Sequence, residues 1–178
     1  VLGVALLSTG GVAAAREKPA KSQGSKGQDA KGKALSPSRG FQPALKKMTD
    51  AATAKDGAAL AAALTEGQSA ATTPDDQYLI GFYRLQSGII AGDQAQQSAG
   101  LDAMLATDLT PAESLPAYNF FSGQFAYQAK DYTKAIQRFE AAKAAGSTEA
   151  AMPALLMDSY LSSGQLEKGW EIAQAGIT

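Results

Sequence analysis

Pro116–Gly146, PAYNFFSGQFAYQAKDYTKAIQRFEAAKAAG, reads as two helices joined by a tight turn at Lys130-Asp131-Tyr132. Apolar residues return every three or four positions on both sides of that turn. Two antiparallel helices approach closely only where one of them lacks bulk, which assigns Gly123 and Ala135 to packing. Phe139 and Tyr127 then fill the space beside that contact, each burying on the order of 150–250 Å². Gly146 stands where a helix end calls for a left-handed residue.

The same outline recurs on either side. Phe41, Leu45 and Met48 share a helical face, the pattern breaks at Lys55-Asp56-Gly57, and it resumes through Leu60 and Leu64. Tyr78, Phe82, Leu85 and Ile89 form the next stripe, then Ala91-Gly92-Asp93 turns into Leu101, Met104 and Leu105. The last pair runs through Leu155, Leu156 and Tyr160, turns at Ser163-Gly164-Gln165, and continues through Leu166, Trp170 and Ile172. Thr73-Pro74-Asp75-Asp76 and Thr110-Pro111-Ala112-Glu113 carry the N-terminal signature of a capping hydroxyl, a proline and an acid. Much of the 45% apolar content is alanine, which favours helix over strand. The expectation is an all-α chain of eight helices in four hairpins, with no strand.

The turns fall at Asp56, Asp93, Asp131 and Gln165, spacings of 37, 38 and 34 residues. A period in this range points to a stacked helical array. With Pro116 as the first position of a unit, the stretch resembles the tetratricopeptide repeat family. Gly123 falls on that family's glycine, Ala135 and Ala142 on its two helix-B alanines, and Phe139 on its aromatic. Lys130-Asp131-Tyr132 followed by Ala135-Ile136 is similar to its G-D-Y-x-x-A-I run, with lysine for glycine. Asn119 stands at the tryptophan position, Ser122 at the leucine, and the tyrosine is displaced by one to Tyr127. One period later, Tyr160, Gly164 and Gly169 keep the tyrosine, the turn and a small residue, while Met157 and Ala173 replace the glycine and the aromatic.

The resemblance implies a right-handed superhelical array of antiparallel helix hairpins whose first helices line a concave, partner-binding face. It places Phe82, Gln86, Phe120, Gln124, Tyr127, Gln128 and Asp158 on that face, and Gly123, Ala135, Phe139, Ala142, Tyr160 and Gly169 in the packing between helices. Chaperone-docking members of the family clamp a terminal carboxylate with lysine and asparagine. Here Phe120 and Gln124 occupy those places, which favours an apolar or aromatic peptide segment as ligand. The implied function is that of a non-catalytic scaffold binding a protein or peptide.

Several chemistries are excluded by what the chain lacks. It has neither cysteine nor histidine, so no disulfide, ordinary zinc site, cysteine nucleophile or serine–histidine triad can form within it. Asp75-Asp76 read as caps facing a helix dipole, and Glu167 with Glu171 as a solvated face. No glycine-rich phosphate loop is present. Catalysis, cofactor, metal and nucleic acid are therefore not expected.

The N-terminal region differs from the rest. Residues 1–15, VLGVALLSTGGVAAA, read as a signal peptide truncated at its start and cleaved before Arg16, which implies a periplasmic or secreted protein of the bacterial envelope. The run is too short to span a membrane. Residues 16–40 read as a disordered basic linker, since 16–39 carry seven Lys or Arg against Glu17 and Asp29 and almost no large apolar side chain. Residues 41–178 form the repeat domain, with Trp170 and Ile172 expected to need a capping element beyond the last helix. The competing readings are a structural envelope protein attached through the basic tail to anionic lipid or wall polymer, and an accessory domain of a larger enzyme.

Overall fold

The computed structural model describes residues 34–175. The expected signal peptide, the linker up to residue 33 and the last three residues lie outside the described residues. Eight helices follow one another: α1 (Gln42–Thr53), α2 (Gly57–Ala70), α3 (Pro74–Ala91), α4 (Gln94–Leu105), α5 (Leu115–Gln128), α6 (Tyr132–Ala144), α7 (Met152–Ser162) and α8 (Leu166–Ala175). No strand of two or more residues occurs among the described residues. No helix among them is long and apolar enough to cross a membrane.

One turn geometry is used four times. Lys55, Gly92, Lys130 and Gly164 have left-handed backbones, with φ of 55°, 67°, 61° and 81°. The next residue in each case returns its N–H to the preceding helix: Asp56 to Ala51, Asp93 to Gly88, Asp131 to Ala126 and Gln165 to Tyr160, at 2.8–2.9 Å. This is the six-to-one bond that satisfies the last carbonyls of a helix. In the first three turns the same residue then caps the following helix. The Asp56 carboxylate accepts from the Ala59 N–H, Asp93 from Ala95 and Gln96, and Asp131 from Lys134. One aspartate therefore ends one helix through its backbone and starts the next through its side chain.

Every helix packs on its neighbours in the chain, and two further approaches exist, α1 on α3 and α5 on α7. The core follows this order as three linked clusters. Phe41, Met48, Leu60, Leu64 and Ile80 join α1, α2 and α3. Tyr78, Leu101 and Met104 join α3 to α4. Phe120, Ala135, Phe139, Leu156 and Tyr160 join α5, α6 and α7. Phe82 packs against the first two clusters and Phe121 against the last two, so the apolar interior is continuous.

Small residues set the close approaches. A Cβ on Gly123 would lie 2.7 Å from the Phe139 ring, and one on Gly169 would lie 2.6 Å from the Leu161 side chain. The α3–α4 contact is tighter, and the sequence had not flagged its glycines. A Cβ on Gly100 would lie 2.5 Å from the Leu85 backbone nitrogen, and one on Gly81 2.9 Å from the Gly100 carbonyl. Ala135, Phe139 and Ala142 are fully buried and Tyr160 nearly so, as their packing role requires.

One expected helix start is displaced. The Thr110–Glu113 box does not form; residues 112–114 make a turn and α5 begins at Leu115. The reason is Pro116. A helix beginning at Pro111 would carry Pro116 beyond its first turn, where the missing N–H and the ring clash are costly, whereas a start at Leu115 keeps it in the first turn. The Thr73–Asp76 box forms as expected, with both reciprocal bonds.

Two outcomes follow for stability. Gly123→Leu and Gly100→Ala should each lower the unfolding free energy by about 1–3 kcal/mol, measured by urea denaturation; unchanged midpoints would reject the close approaches. Lys130→Gly should do the opposite. It relieves a left-handed lysine costing about 1–2 kcal/mol, less the extra chain entropy of glycine, and should raise the melting temperature by roughly 2 °C.

Candidate functional site

The residues that the sequence selects for recognition sit on α3, α5 and α7. Phe121, Gln124, Phe125 and Gln128 lie at three- and four-residue spacing on α5 and so share one side of it. On α3, Phe82, Leu85, Gln86 and Ile89 do the same. Phe82, Leu85, Phe121 and Phe125 are half-buried and pack against the Tyr78–Leu101–Met104 cluster. Gln86 and Gln124 are also half-buried, while Gln128 and Ile89 are exposed.

Phe120 is a correction. Only 3% of it is exposed, and its ring stands against Phe121 and Phe139 with centroids 5.5 and 6.0 Å away. It belongs to the core, and its neighbour Phe121 is the residue turned toward the α3–α5 face. Successive helical residues point about 100° apart, so a small error in the azimuth of α5 exchanges the two.

Tyr127 and Asp158, assigned to the face from successive hairpins, are brought together. The Tyr127 hydroxyl donates to the Asp158 carboxylate, linking α5 to α7. That bond, together with burial, raises the phenol above its ordinary pKa, and the ring stands edge-on to Tyr132 at 5.9 Å. Tyr160 repeats the theme by donating to Glu140, while Lys168 Nζ lies 5.3 Å from its ring centre. Burial and then the Glu140 bond push the Tyr160 hydroxyl up to about 12. A cleft of about 640 Å³ opens there, between α6 and α8, with Tyr160, Glu140, Lys143, Lys168 and Ile172 in its walls.

Two polar clusters join groups far apart in the chain. In the first, Asp102 of α4 accepts from Ser122 of α5 at 2.8 Å, from Arg138 of α6 at 3.2 Å, and from Lys134 of α6. The three charged side chains are each less than a third exposed, and together they tie the second helix pair to the third. Lys134 and Arg138 at i, i+4 gave a signal of one charged face, but nothing local pointed to Asp102.

The second cluster lies at the start of α3. Asp76 is fully buried and accepts from the N–H groups of Thr72 and Thr73 and, from far along the chain, Ser38 at 2.8 Å. Asp75 accepts from Ser36 at 2.8 Å. Residues 34–40, assigned to a disordered linker, are therefore held in place. The composition of the linker hid this because the partners are backbone N–H groups, which every residue but proline supplies. Burial by itself would raise the Asp76 carboxyl, but the hydrogen bonds it accepts, led by those from the Thr72 and Ser38 N–H groups, outweigh it and leave the pKa below the ordinary value. Nearby, burial and then the proximity of Tyr118 and Glu113 push the Tyr78 hydroxyl up to about 12.

Among the described residues no group of three acidic, histidine or cysteine side chains could hold a metal ion. No family model, curated protein or solved structure matches this chain.

Because the Asp76 pKa is lower in the fold than in the unfolded chain, its contribution to stability is complete above the ordinary aspartate range near 4 and is lost as pH falls through the depressed value. Asp76→Asn should cost about 2 kcal/mol at pH 7 by setting an amide N–H₂ against backbone donors. The gap between the two proteins in urea denaturation should narrow as pH is lowered below 4. A gap that is constant with pH would reject the assignment.

Proposed function

We propose that the chain is a tetratricopeptide-like solenoid of four helix hairpins that binds an extended peptide or protein segment along the face of α3, α5 and α7, without catalysis. The observation that carries this reading is the row of half-buried aromatics and leucine, Phe82, Leu85, Phe121 and Phe125, bordered by Gln86, Gln124 and Gln128. An apolar strip flanked by uncharged amides suits a ligand that buries side chains and offers its backbone for hydrogen bonding. The four equal turns at 34–38-residue spacing support the repeat architecture. Phe120 no longer belongs to the recognition set, and Tyr127 with Asp158 acts first as a tie between α5 and α7. Export to the bacterial envelope, with the basic tail as spacer, completes the proposal and rests on residues 1–33 of the sequence.

The test is a peptide array probed with the wild-type chain and with the triple variant Gln86→Lys, Gln124→Lys, Gln128→Lys, which charges the face without touching the core. The wild type should select peptides with apolar anchors, and the variant should lose at least tenfold in affinity for them, as expected when amides that hydrogen-bond a ligand's backbone are replaced by cations. Equal selection by both proteins would remove this face as the binding surface.

A further inference from the structure

The helix pairs do not stack uniformly. The first helix of each pair approaches the next at α1–α3 and at α5–α7, but α3 does not approach α5. The connection between these pairs is long, from Ala106 to Ser114, and Pro116 delays the start of α5. Where α3 and α5 part, Tyr78 of α3 and Tyr118, Phe121 and Phe125 of α5 pack around Leu101 and Met104 of α4 and form an aromatic-lined seat, the α3–α5 slot. The chain itself enters this slot. Leu35 packs against the Tyr78–Leu101–Met104 cluster, and the backbone on its C-terminal side is fixed by Ser36 N–H to Asp75 and Ser38 N–H to Asp76. These bonds span 39 and 38 residues, and both are made to carboxylates at the tip of α3.

Seated in this way, the segment has the features of a bound peptide. It has no helix or strand of its own, it presents a single leucine to an aromatic-walled slot, and its backbone donors meet acidic acceptors. The charges also match. Lys31, Lys33 and Arg39 flank Leu35 and Ser38 in sequence, while Asp75 and Glu113 lie beside the slot.

We propose that the α3–α5 slot is a recognition site for extended basic peptides with a leucine anchor, and that residues 34–38 are its tethered occupant, which an external segment of the same chemistry must displace. This deepens the proposed function and rests on its reading of α3 and α5 as the binding face. Tethering gives the strap an effective concentration on the order of millimolar, so the wild-type site is occupied unless a stronger or more concentrated competitor arrives. The strap thus sets a threshold for partner binding.

The probe is a fluorescein-labelled synthetic peptide of residues 31–40, KGKALSPSRG, titrated by anisotropy into the full chain and into its Leu35→Asp variant. The variant should bind the peptide roughly ten- to a hundredfold more tightly than the wild type, as expected when a tethered competitor is released. A peptide with aspartate in place of the leucine should not bind, and added salt should weaken the binding that remains. Ser38→Pro, which removes the N–H given to Asp76 without placing a charge near the core, provides the same test if circular dichroism shows Leu35→Asp to have lost helix. Equal binding to wild type and variant, or no binding to a variant that is fully helical, would overturn the proposal. If the strap result fails while the glutamine variant still loses its peptides, the strap is structural and the face stands. If the strap result holds while the glutamine variant behaves as wild type, recognition is confined to the slot.

Discussion

The constraint on which the structure depends is the repeated turn in which a left-handed residue is followed by one that closes the previous helix. The returning N–H bonds at Asp56, Asp93, Asp131 and Gln165 fix where four helices stop and the direction in which the chain reverses. Three of the four residues are aspartates that also cap the next helix, so stop and restart are coupled within a single residue. Helix ends leave about four backbone groups unsatisfied on each side, and a hairpin must meet both demands within two or three residues. With the reversals fixed, each pair can bury its apolar stripes only against its own partner and its immediate neighbours.

Between the pairs, a different kind of contact takes over. The second and third pairs are tied by the cluster of Asp102, Ser122, Lys134 and Arg138, and the third and fourth by Tyr127 with Asp158 and Tyr160 with Glu140. These polar ties lie beside the apolar clusters and are directional, so they specify how one pair sits on the next in a way that apolar contact alone does not. The junction of α3 and α5 departs from the rest, and the extended segment around Leu35 fills what the helices leave open. In the proposed function, the irregular junction is the part of the array that carries recognition, while the regular junctions supply rigidity.

The legible part of the sequence was local. The left-handed Gly146, the Thr73–Asp76 box and the small residues Gly123, Ala135 and Gly169 each follow from chemistry within a few residues or one hairpin. The misreadings share a cause as well. Phe120 and Phe121 differ by one position, and which of them faces inward depends on how α5 is rolled against α6 and α7. Thr110 carried a good helix-start signature, but Pro116, six residues later, settled where the helix could begin. Gly81 and Gly100 carried no local signal because the backbone each one meets belongs to the other helix.

From the sequence by itself came the helical class, the number of helices and the position of each reversal, because these depend on propensity, capping and turn geometry over short stretches of chain. Tertiary structure alone decided that α3 and α5 stand apart, that Asp102 gathers two cations, and that Asp76 reaches Ser38 as well as its own helix start. Each of these depends on groups about 20 to 40 residues apart meeting in space, where the deciding terms are packing and the pairing of buried charge with distant backbone donors. No periodicity records such meetings. The same stretch, 34–38, has a composition that gives no reason for order, and is ordered because two carboxylates and a slot await it.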